Sequence, residues 1–299
     1  MPDTPIPALF RKLLDRIQPT EADLARYASH RNTVQIRLKT ALQATTVHPI
    51  GSIPRGTALH DGSDLDLMVP LPASSVRRAG ARVQPVTVLN KIRAELAARY
   101  PDTDLRGSGP AVSLCFAQKK YTVDVVPAVF AGTHDKIAHY QIPHRENRWI
   151  LACPVAHNRL LRAEDERTGG KLGHTCQLIK YWMRCRQPRI PLHSFSAEMF
   201  IATHGICRSA RSYAVCVADS LVCLLDNLDN VCPDPLGVST EMVLVDSDAK
   251  SERAATALQA SAERAQRALF AEASGNFREA ARLWNLVFNG HFPKAAGHG

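Results

Sequence analysis

Three acidic residues in two short stretches have the types and spacing for metal-assisted chemistry at phosphorus. The first stretch runs from Gly51 to Val69 and reads GSIPRGTALHDGSDLDLMV. On a strand, residues two apart face the same side, so Asp64 and Asp66 aim their carboxylates at one spot while Leu65 and Leu67 face the other way. Carboxylates that close repel, and they take up protons unless a cation sits between them. Mg²⁺ suits the place, because it takes one or two carboxylates together with the phosphates of a nucleotide. Gly51 and Ser52 lie just ahead, where bare backbone N–H groups and a hydroxyl can cradle phosphate oxygens. The second stretch, Tyr121 to Ala128, is an apolar strand with one embedded acid, Asp124. A lone acid in such a strand needs a partner. Three carboxylates around two ions roughly 3.5–4 Å apart form a clamp for in-line displacement at phosphorus.

These elements carry a resemblance. Gly51-Ser52, Gly56-Thr57, Ser63-Asp64-Leu65-Asp66 and Val123-Asp124-Val125-Val126-Pro127 resemble the polymerase-β-like nucleotidyltransferases. Within that group the chain is similar to the bacterial CD-NTases, relatives of cyclic GMP-AMP synthase and oligoadenylate synthase. The likeness extends through Phe10, Leu13, Leu14 and Ile17 near the start, Lys180-Tyr181-Trp182, Ser194-Phe195, and the closing Ala280, Trp284, Phe288 and Phe292-Pro293.

The resemblance implies an enzyme that joins nucleoside triphosphates into a cyclic di- or oligonucleotide second messenger in anti-phage signalling. It implies two Mg²⁺ ions, with Mn²⁺ as an alternative, held by Asp64, Asp66 and Asp124. An acceptor hydroxyl would attack the donor α-phosphate, with Asp124 or a metal-held hydroxide removing its proton. In the resembled family the lysine matching Lys180 reaches the donor triphosphate. Ser194 would touch phosphate and Phe195 would stack on the donor base. Phe195 stands where many relatives have Tyr, so stacking is kept and a hydroxyl contact is lost. Read without the resemblance, Lys180 is a surface lysine snorkelling past an apolar patch, and Phe195 is an ordinary core residue.

Asn158 offers an amide that could read a base edge or serve as a capping or loop residue. Thr57 and Ser63 read as supports of the turn. Arg55 reads either as a phosphate contact or as an exposed loop arginine. The acids alone license any transfer from a nucleoside triphosphate. A linear transferase acting on RNA, a small molecule or a protein is therefore a second reading, and a non-catalytic nucleotide sensor a third. Retention of all three acids counts against the sensor.

The elements that must position these residues follow from hydropathy. The fold class expected is α/β (α+β): a polymerase-β-like lobe over residues 1–159 with a small mixed sheet, and a mostly helical lobe over 160–299 completing the nucleotide cleft. Helices are expected over 6–47 with a break at Pro19-Thr20, where Thr20 caps the second, and over 84–100. Strands are expected near 46–50 and 64–70, and a hairpin joins 111–117 to 121–129 across Gln118-Lys119-Lys120. Residues 74–82 read as a polar loop. Later helices are expected over 175–186, 194–207, 247–273 and 277–288, the last two split by Ser274-Gly275-Asn276, and the apolar stretch 215–228 is expected to pack inside.

A chain of 299 residues with 45% hydrophobic content has room for two lobes. Its net charge of +9 suits polyanionic partners, although a solvated basic surface explains most of it. No run of about 18 apolar residues occurs, so no membrane partner is expected. The start lacks a signal-peptide pattern, which makes the expected location cytoplasmic and the eight cysteines reduced thiols. His204, Cys207, Cys216, Cys223 and Cys232 lack the paired spacing of a zinc site. Nucleoside triphosphates are the expected partners, with no obligatory nucleic acid. A monomer is expected, and the downstream effector should bind the product rather than this chain.

Overall fold

The computed structural model describes residues 5–44, 46–60, 62–78, 81–116, 121–208, 210–238 and 242–294. In chain order, α1 (Pro5–Ile17) and α2 (Glu21–Leu42) precede β1 (His48–Ile50), the one-turn α3 (Ser52–Arg55) and β2 (Leu65–Leu71). A 3-10 turn at Ala73–Val76 leads to β3 (Arg77–Arg78), β4 (Ala81–Arg82) and α4 (Pro85–Arg99). Then come β5 (Asp104–Ser108), β6 (Ala111–Phe116), β7 (Tyr121–His134), β8 (Ile137–Pro143) and β9 (Trp149–Ala152). The remainder is helical: α5 (Pro154–Arg167), α6 (Lys171–Arg184), α7 (Ser194–Thr203), α8 (Tyr213–Asp226), α9 (Asp248–Ala273) and α10 (Phe277–Val287).

Two compact units result, and the division falls inside α5, between Leu160 and Leu161. The unit built on Pro19–Leu160 holds a seven-stranded mixed sheet of order β1-β2-β7-β6-β5, with β8 and β9 continuing from β7. β2 and β7 run parallel and their neighbours antiparallel. Alternation decides the faces. Leu65, Leu67, Val69 and Leu71 of β2, Val123 and Val125 of β7, and Val112 and Leu114 of β6 all enter one core. Tyr27, Val34, Leu38 and Leu42 of α2 and Val88, Ile92 and Leu96 of α4 close that core from one side. The intervening residues of the strands therefore face the other way. Thr20 caps α2 as expected: its hydroxyl accepts from the Asp23 N–H, and the Asp23 carboxylate accepts from the Thr20 N–H.

The second unit contains α6 to α10 and also α1. Ile6, Leu9, Phe10, Leu13, Leu14 and Ile17 are all buried, at helical spacing. The Phe10 ring meets Trp284 and Phe292, each at 5.0 Å between centroids and edge-on. Trp182 of α6 donates its indole N–H to Ser261 Oγ of α9 at 3.0 Å.

Several expectations need correction. The stretch 74–82 is not only loop, since it contains the 3-10 turn and the β3–β4 pair; Ala79 and Gly80 between them lie outside the described residues. The expected hairpin turn at Gln118-Lys119-Lys120 also lies outside them. β7 runs on to His134 and pairs with β8, which pairs with β9, and β5 lines β6; none of these three partners was anticipated. Their residues are mixed in polarity, and pairing on the sheet makes them strands. α5 likewise begins earlier than the change of character near Leu160 suggested. All eight cysteines are free thiols. Among the described residues, no three of His204, Cys207, Cys216, Cys223 and Cys232 bring ligand atoms within 4.8 Å of one another. None of the described helices is long and apolar enough to cross a membrane.

Candidate active site

The sheet face opposite the core carries a row of polar residues across three strands. Asp66 of β2 stands beside Asp124 of β7 in parallel register, and Ser113 of β6 stands opposite Asp124 in antiparallel register. Neighbouring strands lie about 4.7–4.9 Å apart, so the two carboxylates are adjacent on one face. Asp64 sits one residue ahead of β2 and is exposed. Its position two residues before Asp66 keeps it at the same end of the site.

Asp124 is half-buried, and its Oδ1 is shielded from solvent with no hydrogen-bond partner among the described residues. Burial pushes its pKa up, and a hydrogen bond from the buried Ser113 hydroxyl partly offsets this. A shielded carboxylate oxygen without a donor is costly unless something electropositive meets it. An all-carboxylate donor set suits a hard divalent cation. Ser113 escaped the sequence reading; only its register opposite Asp124 could have revealed it.

The Gly51 turn is pressed against Asp66. Ile50 pairs in register with Asp66, and the chain then turns at Gly51 with φ 78° and ψ −159°. A Cβ at Gly51 would lie 1.8 Å from Asp66 Oδ2. Only glycine fits both this backbone and this approach. One turn of helix, α3, follows from Ser52. Its end is closed by the Gly56 N–H to Ile53 O at 3.1 Å and the Thr57 N–H to Ser52 O at 3.0 Å.

The loop leading into Asp64 is tied down at several points. Ser63 Oγ accepts from the Leu59 N–H at 2.8 Å, and the Tyr27 hydroxyl donates to Ser63 O at 3.2 Å. His60 Nδ1 meets the buried Asp23 carboxylate at 2.6 Å, and Arg26 meets it at 3.0 Å. Burial opposes ionisation of Asp23, yet hydrogen bonds from His60, Thr20 and Arg26 win and hold its pKa well below the usual carboxylate range. Ser63 thus supports the turn, as its type suggested.

Arg55 and Asn158 are both buried, which corrects the reading of Arg55 as an exposed loop residue. Asn158 lies in the first turns of α5, not in a loop. Its Oδ1 accepts from Arg55 Nη1 and its Nδ2 donates to Pro49 O, each at 3.4 Å. Both ends of the amide are therefore turned toward β1 and α3.

In the helical unit, Lys180 is buried, which overturns the surface-lysine reading. Its Nζ lies 3.2 Å from Glu198 Oε1 of α7, with the two side chains 5% and 1% exposed. Glu198 was not anticipated. The signal was present, for it is a lone acid within the otherwise apolar run Ala197 to Ile201, like Asp124 in its strand. Ser194 and Phe195 open α7 and are half-buried, so Phe195 is not a fully packed core residue.

Residues 5–164, more than half of the chain, match the Second Messenger Oligonucleotide or Dinucleotide Synthetase domain. The chain belongs to this family. Family membership implies a divalent metal. Over 157 residues the chain is 24% identical to the cyclic AMP-AMP-AMP synthase of Escherichia coli (strain MS 115-1), a match covering 52% of this chain and 48% of that protein. The matched segment thus spans about half the length of that relative. The fold is similar to that of E. coli MS115-1 CdnC solved with ATP, with a TM-score of 0.76, 16% identity, and 96% of this chain and 98% of the other covered. It is also similar to the Vibrio cholerae DncV cyclic AMP-GMP synthase solved with a linear pppA(3′,5′)pG intermediate, with a TM-score of 0.73, 11% identity and 94% of each chain covered.

Proposed function

We propose that this synthetase-family protein joins nucleoside triphosphates, with release of pyrophosphate, and closes the product into a cyclic di- or oligonucleotide that acts as a signal in anti-phage defence. One observation carries the reading. Asp66 and Asp124 are neighbours on parallel strands, Asp64 is two residues from Asp66, and Asp124 keeps a shielded oxygen without a hydrogen-bond donor. The ATP bound in the E. coli CdnC structure supports the choice of substrate.

Asp64, Asp66 and Asp124 would hold the divalent cations, Mg²⁺ or Mn²⁺. When bound, such ions supply Lewis acidity toward the attacking hydroxyl and the triphosphate. Gly51 and Ser52 bring backbone N–H groups and a hydroxyl to phosphate oxygens. The acceptor ribose hydroxyl attacks the donor α-phosphorus, a P–O bond forms, and the bond to pyrophosphate breaks. Asp124, on the same sheet face as Asp66, would take up the hydroxyl proton. From the helical unit, Lys180 and Ser194 serve the triphosphate and Phe195 stacks on a base. Asn158 is assigned to support of the Gly51 turn. A second transfer, within the linear product, closes the ring.

The test is to incubate purified protein with labelled nucleoside triphosphates and Mg²⁺, treat with phosphatase, and identify the product by mass spectrometry. A phosphatase-resistant cyclic product supports the reading. Label only on added RNA points to a linear transferase. Binding without pyrophosphate release points to a sensor.

A further inference from the structure

The buried pair Lys180–Glu198 does more than join two helices. We propose that Glu198 is a positioning residue for nucleoside triphosphate binding: it holds the Lys180 ammonium charged and aimed at the N-terminal face of α7. This rests on the nucleotidyltransferase reading above. Three observations carry it. First, the Lys180 Nζ to Glu198 Oε1 distance is 3.2 Å, and Glu198 is the deeper partner, at 1% exposure against 5%. A lysine that secluded tends to lose its proton unless an acid faces it. Second, Ser194 and Glu198 are four residues apart on α7, so they lie on one face, one turn apart. The ammonium paired to Glu198 therefore lies on the face of α7 that Ser194 shares. Third, α7 is ten residues long, and its first N–H groups carry the positive end of the helix dipole on which an anion is favoured. The acid sits one turn inside the helix, away from that end. It anchors the cation without itself meeting the phosphates.

A purely structural ion pair makes a different forecast. Replacing both members by apolar residues of similar size is often neutral for stability, whereas removing one leaves an uncompensated buried charge. The experiment compares Glu198→Gln, Glu198→Asp, Lys180→Met and the double variant Lys180→Met/Glu198→Leu. Thermal midpoint, ATP dissociation constant by calorimetry, and KM against kcat are measured for each. Glu198→Gln and Lys180→Met should weaken ATP binding about 10- to 100-fold, the range of one charge-assisted hydrogen bond. The loss should fall on KM more than on kcat. Glu198→Asp should recover much of the affinity. The double variant should regain the wild-type thermal midpoint and yet stay weak for ATP. Full ATP affinity in the double variant, or in Lys180→Met, overturns the positioning role while leaving the nucleotidyltransferase reading standing. Failure of the wild-type protein to release pyrophosphate from any nucleoside triphosphate defeats that reading itself.

Discussion

Gly51→Ala is the sharpest test of how the active site is built. The new methyl carbon would stand 1.8 Å from Asp66 Oδ2 and 2.8 Å from Cγ. The carboxylate must retreat by about 1 Å or more before ordinary contact is restored. The backbone adds its own cost, since φ 78° with ψ −159° is glycine territory and a side chain there costs about 1–3 kcal/mol. For a chain of 299 residues that corresponds to a fall of about 2–5 °C in thermal midpoint. The catalytic loss should be larger, because a displacement of about 1 Å in a reacting site can cost about 100-fold in rate. Gly56→Ala is the control. Gly56 also has positive φ, at 74°, but a Cβ there meets nothing within 4 Å. Its strain is comparable, at about 1–2 kcal/mol, with no push on a carboxylate. The assay is pyrophosphate release at saturating triphosphate, alongside thermal melts of both variants. A Gly51→Ala protein that keeps its rate within threefold of wild type would refute the argument that this glycine sets the place of Asp66.

Other outcomes follow from the same geometry. Asp64→Ala combined with Asp66→Ala should abolish pyrophosphate release while the thermal midpoint holds or rises, since the change removes mutual repulsion from a site that packs no core; measurable turnover would sink the metal assignment. Phe195→Ala should weaken nucleotide affinity more than Phe195→Tyr, because a stacked base is worth about 1–3 kcal/mol, and titration calorimetry on the two variants checks the difference. Asp23 has a folded pKa below its unfolded value, so its contribution to stability is complete above the ordinary carboxylate value of 3.8 and is lost as pH falls below it. Asp23→Asn should therefore lower the thermal midpoint at neutral pH and flatten its decline toward acid. Parallel curves for the two proteins would contradict this.

The local sequence marked the acids of the candidate site and the strands that carry them. Period-two alternation assigned Asp66 and Asp124 to strand faces opposite the apolar residues, and this needs no knowledge of neighbours because side-chain direction is a property of the strand itself. The helices were legible for a similar reason: α1 buries six apolar residues at helical spacing, and Thr20 with Asp23 marks the start of α2 within four residues. β5, β8 and β9 were not legible, because their strand character comes from hydrogen bonds to β6 and β7 rather than from their own residues. Three assignments belonged to the tertiary structure alone. Register put Ser113 beside Asp124, packing turned Lys180 inward onto Glu198, and the close approach of the Gly51 turn to Asp66 made glycine obligatory there. Each is a relation between segments distant in sequence, and a one-dimensional pattern holds no record of which distant residue will stand opposite.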